Sequence, residues 1–256
     1  MTGTAHDYGR AGTIGIGTPQ ANPTVEAEMR ILLPPNVAMA VVRLTSAAAD
    51  PLARLRHYFD RLDDTLGCYD SLLPDAFGFA CTGSSYLLPE GEEERRTAEL
   101  EQCYGYPVIT ATAAIEWRLK ALGARRIALA SPYPPALADA AAAFWERRGF
   151  IVTDVARVET GNPDTRGIYS LGSADAFGAA QALRANGPDA VLLSGTGMPS
   201  LALIAQATGG VPLLSSNLCL AARLCVAVGL PEPHPAAWHP RLRDAVAPPF
   251  EGTQDQ

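Results

Sequence analysis

Along this chain, short apolar runs rich in β-forming residues alternate with longer stretches in which apolar positions return at helical spacing. TIGIGT, VAMAVVRL, FGFAC, PVIT, RIALAS, FIVTDVARV, AVLLSG and VPLLSS carry the strand pattern. Between them, PLARLRHYFDRLDDTL, EEERRTAELEQCY, AAIEWRLKALG, PALADAAAAFWERRG, ADAFGAAQALRANG and LALIAQATGG read as helices that stop at or near glycine. Such alternation predicts an α/β protein with parallel strands joined by right-handed crossovers.

The two halves of the pattern resemble each other. IGIGTP at Ile14 matches IALASP at Ile127 at an offset of 113, and CTG at Cys81 matches GTG at Gly195 at an offset of 114. GYPVIT at Gly105 matches GVPLLS at Gly210 at an offset of 105. Glycine and serine after any strand would give isolated matches of this kind, but the three matches are in order and similarly spaced. We therefore expect two similar α/β lobes related by a pseudo-twofold axis, 12–112 with 217–247 forming the first and 113–216 the second. The stretch NLCLAARLCVAVGL would cross back to the first lobe, and residues 1–11 and 248–256 are expected to be disordered tails.

Composition narrows the function. The 256 residues are 48% hydrophobic and 18% charged, enough for a sizeable core. A formal net charge of -7 argues against a nucleic-acid partner. No apolar run is long enough to span a membrane, and the opening MTGTAHDYGRAG has no secretory pattern, so a cytoplasmic protein is expected. Cys68, Cys81, Cys103, Cys219 and Cys225 show no metal-ligand spacing, and His6, His57, His234 and His239 are scattered, so neither a disulfide framework nor a metal site is expected. GIGTPQ lacks the third glycine of a dinucleotide fingerprint. A cysteine hydrolase would need a histidine and an orienting acid beside the thiol, and no histidine lies at a strand end.

Ligands of parallel α/β sheets bind beyond the carboxyl ends of the strands, where all three matched signals fall. Thr82, Gly83 and Ser84 on one side, with Thr196 and Gly197 on the other, would form a nest of neutral donors suited to a carboxylate or an enediolate. Cys81 would be the one strong acid, base or nucleophile there; the alternative is a small buried residue at a strand end. Cys68, Cys103 and Cys225 read as inert helix residues, and Cys219 as a lesser candidate for the cleft. Leu87, Leu88 and Met198 suggest an apolar wall or read equally well as core, and EGEEERR reads as a solvated helix start.

Taken together, GIGTPQANPTVEAEMRILLP, ACTGSS, TATAAIEWRLKALGARRIALASPY, AVLLSGTG and GVPLLSSN resemble the aspartate/glutamate racemase superfamily, within it the maleate isomerase and arylmalonate decarboxylase branch, from about Thr13 to Asn217. That resemblance implies two Rossmann-like (flavodoxin-like) lobes, no cofactor, and a cleft where cysteine acts on carbon next to the carboxylate of a small mono- or dicarboxylate. Asn22 matches an asparagine that holds a substrate carboxylate, although it would also cap a helix beginning at Pro23. Pro19 opens the same loop, Tyr133 matches a tyrosine that donates to the carboxylate, and Thr82, Gly83, Thr196 and Gly197 match the surrounding donors. Asn162, in a poorly matched loop, is a further polar candidate.

Gly195 is the departure. Racemases and maleate isomerases of the superfamily carry a cysteine in both loops, whereas arylmalonate decarboxylases keep one, in the second. This chain keeps only the first, Cys81. A malonate that loses carbon dioxide needs one acid and no base, so decarboxylation is the expected reaction. A cis-trans isomerase or racemase using Cys81, and a non-catalytic carboxylate-binding protein, are the alternatives. The sequence leaves oligomeric state open.

Overall fold

The computed structural model describes residues 7–246. The first half runs β1 (Thr13–Pro19), α1 (Thr24–Leu32), β2 (Ala38–Leu44), α2 (Pro51–Asp60), α3 (Leu62–Gly67), β3 (Ala76–Phe79), α4 (Thr82–Tyr86), α5 (Glu92–Tyr104), β4 (Val108–Thr110) and α6 (Ala111–Ala121). The second runs β5 (Arg126–Ser131), α7 (Pro135–Arg147), β6 (Ile151–Arg157), two 3-10 turns (Thr165–Ser170 and Ser173–Ala176), α8 (Phe177–Ala185), β7 (Ala190–Leu193), α9 (Leu201–Gln206), β8 (Leu213–Ser215) and α10 (Ser216–Ala227), with α11 (Pro235–Ala245) at the end.

The strands form two parallel sheets of identical topology, β2-β1-β3-β4 and β6-β5-β7-β8. The sequence matches map onto it: IGIGTP and IALASP are β1 and β5, CTG and GTG follow β3 and β7, and the third pair spans β4 and β8. Local chemistry repeats as well. Thr110 ends β4 and caps α6 through Ala113 N, while Ser215 ends β8 and caps α10 through Leu218 N. In each sheet the first and third strands are neighbours, so the chain leaves them in opposite directions. The crevice at that switch point is where loops after β1, β3, β5 and β7 converge.

One apolar cluster joins the lobes, from Ile14, Ile16, Phe77 and Phe79 through Ile115, Leu119, Leu220 and Leu224 to Ile127, Leu129 and Leu192. A smaller one covers the other face of the second sheet, around Val191, Leu193, Ile168 and Leu183. Helix α10 packs on α6, α1, β3 and β4. Gly78 makes that docking possible, because a Cβ there would stand 2.8 Å from Leu224 Cδ1. Among the described residues, no helix is long and apolar enough to cross a membrane.

Several local expectations differ from the structure. PLARLRHYFDRLDDTL breaks at Arg61 into α2 and α3, and the Pro-rich PEPHPAAWHP opens α11, with His234 capping Ala236 N. EGEEERR is not wholly solvated: Glu93 is buried, accepting from Thr112 Oγ1 at 2.5 Å and Arg148 Nη2 at 3.0 Å, because the inward face of α5 meets α6 and α7 there. Cys225 is buried in α10, whereas Cys68 and Cys103 are exposed. Much of the expected disordered tails lies outside the described residues; within them, Ala11 N donates to Asn36 O at 3.0 Å.

Candidate active site

The loop after β1 supplies Pro19 and Asn22. Asn22 N donates to Pro19 O, closing a turn, and its Oδ1 accepts from Thr24 N at 2.9 Å and Val25 N at 3.3 Å. The oxygen thus caps α1, and the remaining amide nitrogen reaches across the cleft to Thr196 Oγ1 at 3.3 Å. Capping and cleft placement coexist in one side chain.

After β3, Ala80 and Cys81 stay extended (φ -148° and ψ 93° at Cys81) before the chain turns into α4. Cys81 is 4% exposed. Ser84 Oγ lies 3.1 Å from its sulfur and 2.6 Å from Leu55 O. A hydroxyl has one hydrogen for these two acceptors; with it on the nearer carbonyl, the sulfur contact is made by the thiol's own hydrogen. Burial pushes the thiol's pKa up, outweighing the opposing pull of Ser84 and of the N–H groups of Ser84 and Gly83. Substrate-free, Cys81 is therefore held as a thiol.

The loop after β5 brings in Tyr133, which is buried and 2.7 Å from Thr82 Oγ1, its ring edge-on to Tyr86. Desolvation raises its pKa, keeping a neutral hydroxyl that can donate. The loop after β7 supplies Thr196, whose hydroxyl donates to Ala80 O at 2.8 Å, tying this loop to the residue before the thiol. Thr24 Oγ1 donates to Gly197 O at 2.8 Å.

Pro19, Asn22, Cys81, Thr82, Gly83, Tyr133, Thr196 and Gly197 line a single cleft, together with Leu55, Thr165, Ile168 and Tyr169. Ser84 stands behind the sulfur. Gly195 does not itself line the cavity; at φ +97° a Cβ there would stand 2.7 Å from Ile168 Cδ1 and 3.2 Å from Tyr133 Oη, both on cavity residues, and close to Pro132. The cavity is about 30 Å³, room for about one water. Leu55 of α2 and the 165–170 turn form one side of it, its roof. Arg54, buried on α2, holds that turn through Asp164 at 2.5 Å and Thr165 Oγ1 at 3.2 Å.

Sequence reasoning missed this roof. Asn162, the residue singled out in its loop, bonds only within that loop: its side-chain oxygen accepts from Asp164 N, and its backbone pairs with Thr160 Oγ1. Neither Leu87, Leu88 nor Met198 lines the cleft; Met198 belongs to the second-sheet core, and the apolar wall is made by Leu55, Ile168 and Tyr169 instead. Cys219 faces the core from α10, its pKa pushed up to about 12 by burial, and is no cleft residue. Glu28 and Asn217 were also missed. Both are buried and joined at 2.7 Å, from α1 to α10. Nothing in local spacing marks residues so far apart in the chain as partners.

Two matched parallel sheets, with a thiol and neutral donors at the crevice of their strand ends, define an α/β protein of the aspartate/glutamate racemase superfamily, in the branch of the maleate isomerases and arylmalonate decarboxylases. The profile of the arylmalonate decarboxylase family matches residues 79–237, and the chain belongs to that family. Its sequence is 29% identical to the maleate isomerase of Nocardia farcinica over 238 residues, 88% of this chain and 93% of that protein. A cysteine-to-serine mutant of the Nocardia farcinica maleate cis-trans isomerase, with a covalently bound succinylcysteine intermediate, superposes with a TM-score of 0.75 at 25% identity, covering 86% of this chain and 93% of that one. The liganded form of a mutant arylmalonate decarboxylase superposes with a TM-score of 0.70 at 21% identity, covering 85% and 92%.

Proposed function

We propose that this protein is a cofactor-independent enzyme acting on carbon next to a carboxylate, and that it decarboxylates a substituted malonate. Its substrate carboxylates would sit among Asn22, Thr82, Tyr133, Thr196 and the Gly83 and Gly197 backbone. Cleavage of the bond to one carboxylate releases carbon dioxide and leaves the electron pair on the substrate as an enediolate, whose growing charge the neutral donors stabilise. The Cys81 S–H bond then breaks, its proton forms the new C–H bond, and the thiolate recovers a proton from solvent. The observation that carries this reading is the pairing of one protonated cleft thiol with a glycine, Gly195, at the matching position of the second loop. Two-base racemisation lacks its partner in such a site.

Maleate-type isomerisation is the second reading, favoured by the 29% identity to a maleate isomerase. It asks Cys81 to act as a thiolate nucleophile, the form that burial disfavours. Incubation with alkyl- and arylmalonates and with maleate, followed by NMR, separates the two. Carbon dioxide release with the monoacid product supports decarboxylation; fumarate without carbon dioxide overturns it in favour of isomerisation. Chiral chromatography of the product should show the hand opposite to that made by enzymes whose thiol stands in the second loop.

A further inference from the structure

We infer that Glu28 is a positioning residue for this site, acting through Asn217 to hold the Thr196 loop against the loop that carries Cys81. The inference rests on the functional reading above for its kinetic effect, but its geometry stands independently. Glu28 lies on α1 one turn beyond Thr24, so the two share a helix face, and Thr24 already holds Gly197 O. Glu28 Oε1 accepts from Ser200 N at 2.6 Å and Leu201 N at 3.1 Å, while Ser200 Oγ contacts both carboxylate oxygens. Oε2 accepts from Asn217 Nδ2 at 2.7 Å. That same amide nitrogen gives its other hydrogen to Thr196 O at 3.0 Å. Thr196 in turn holds Ala80 O and receives Asn22 Nδ2. A continuous chain of donors therefore runs from a carboxylate that lines no part of the cleft to the peptide preceding the thiol.

Only an acceptor at both ends of the residue 28 side chain satisfies this arrangement. A glutamine would present an NH₂ to Asn217 Nδ2 or to the Ser200 and Leu201 amides, donor against donor. Turning the Asn217 amide over to relieve the clash points its oxygen at Thr196 O, which loses its donor. Either way the second loop shifts relative to Cys81, and displacement by about 1 Å costs about 10- to 100-fold in rate.

The test compares Glu28→Gln, the double variant Glu28→Gln/Asn217→Asp, and Leu183→Ala as a stability control in the second-lobe core. In the double variant the glutamine NH₂ donates to the aspartate, which restores the link between α1 and α10 but leaves Thr196 O without a donor. We expect its melting temperature to recover toward the parent, while kcat stays about 10- to 100-fold down and KM changes far less. Cys81 alkylation by iodoacetamide, followed by mass spectrometry without substrate, should be several-fold faster in both Glu28 variants and unchanged in Leu183→Ala. Parental kcat together with a parental alkylation rate in the double variant overturns the inference. Should the parent turn over neither malonates nor maleate, the proposed function falls, and the alkylation rates alone decide the role of Glu28.

Discussion

Gly195 and Ile168 are packed so closely that a Cβ on the glycine would stand 2.7 Å from Ile168 Cδ1. The first loop carries a thiol and the second does not, and Gly195 holds a left-handed backbone that L side chains rarely adopt. Introducing a second thiol should not restore a two-cysteine site. Gly195→Cys must hold an L side chain at φ +97°, a strain of about 1–3 kcal/mol, and must also displace Ile168. We expect a loss of stability of at least that size in urea unfolding and no racemisation of a chiral monoacid in deuterated buffer. A stable variant that exchanges and racemises would show that the loop can rearrange around a second sulfur.

Cys81→Ala separates an enzyme from a binding protein. The substitution removes the only proton donor of the cleft that lies on sulfur while leaving Asn22, Thr82, Tyr133 and Thr196 in place. Turnover should fall by about 10²- to 10⁴-fold, the usual worth of a positioned acid, whereas malonate affinity in calorimetry should change only a few-fold. Equal turnover in parent and variant would remove Cys81 from the chemistry.

How far the sequence revealed this site depended on whether a residue's role was local. Strand runs and the two-lobe fold were legible because hydrophobic period and the duplicated strand ends are local signals. Cys81, Thr82 and Thr196 each follow a strand in a duplicated motif and line one cleft, and Asn22, singled out only by the family resemblance, lines it too. Leu55 and Ile168 looked like any other apolar positions, and Arg54 like a solvated helix arginine, because what brings them to the cleft is the meeting of α2 with the 165–170 turn. Glu93 was misread as solvated for a similar reason: its partner Arg148 lies 55 residues away in the chain.

The thiol's environment fixes the expected pH dependence. The pKa of Cys81 is raised above the free value of 9.0, chiefly by burial, and a bound dianion would raise it further. As an acid Cys81 works while protonated, so kcat should be flat through neutral pH and fall only above pH 9. A nucleophilic thiolate would instead gain activity as pH rises toward that value. Stability follows the same sign. Cys219 and Cys225 are raised by burial to about 12 and about 11, so their contribution is intact below the unfolded thiol value and is lost as pH climbs through those two. Stopped-flow rates and urea midpoints across neutral to alkaline pH check both statements.

Arg54 is 3% exposed and Asp164 20%, and their ion pair fastens α2 to the turn that carries Ile168 and Tyr169. Breaking a buried pair from one side leaves the other charge uncompensated, at about 3–5 kcal/mol when burial is complete. Partial exposure of Asp164 places Asp164→Asn toward the low end of that range. Arg166→Ala, which removes the exposed partner of the same carboxylate, should cost no more than about 1 kcal/mol. Because the pair holds one side of the cleft in place, Asp164→Asn should also speed Cys81 alkylation and lower the apparent affinity for malonate less than it lowers stability. Unchanged alkylation in an equally destabilised Asp164→Asn protein would mean that the turn opens by another route and that the pair serves only to join the lobes.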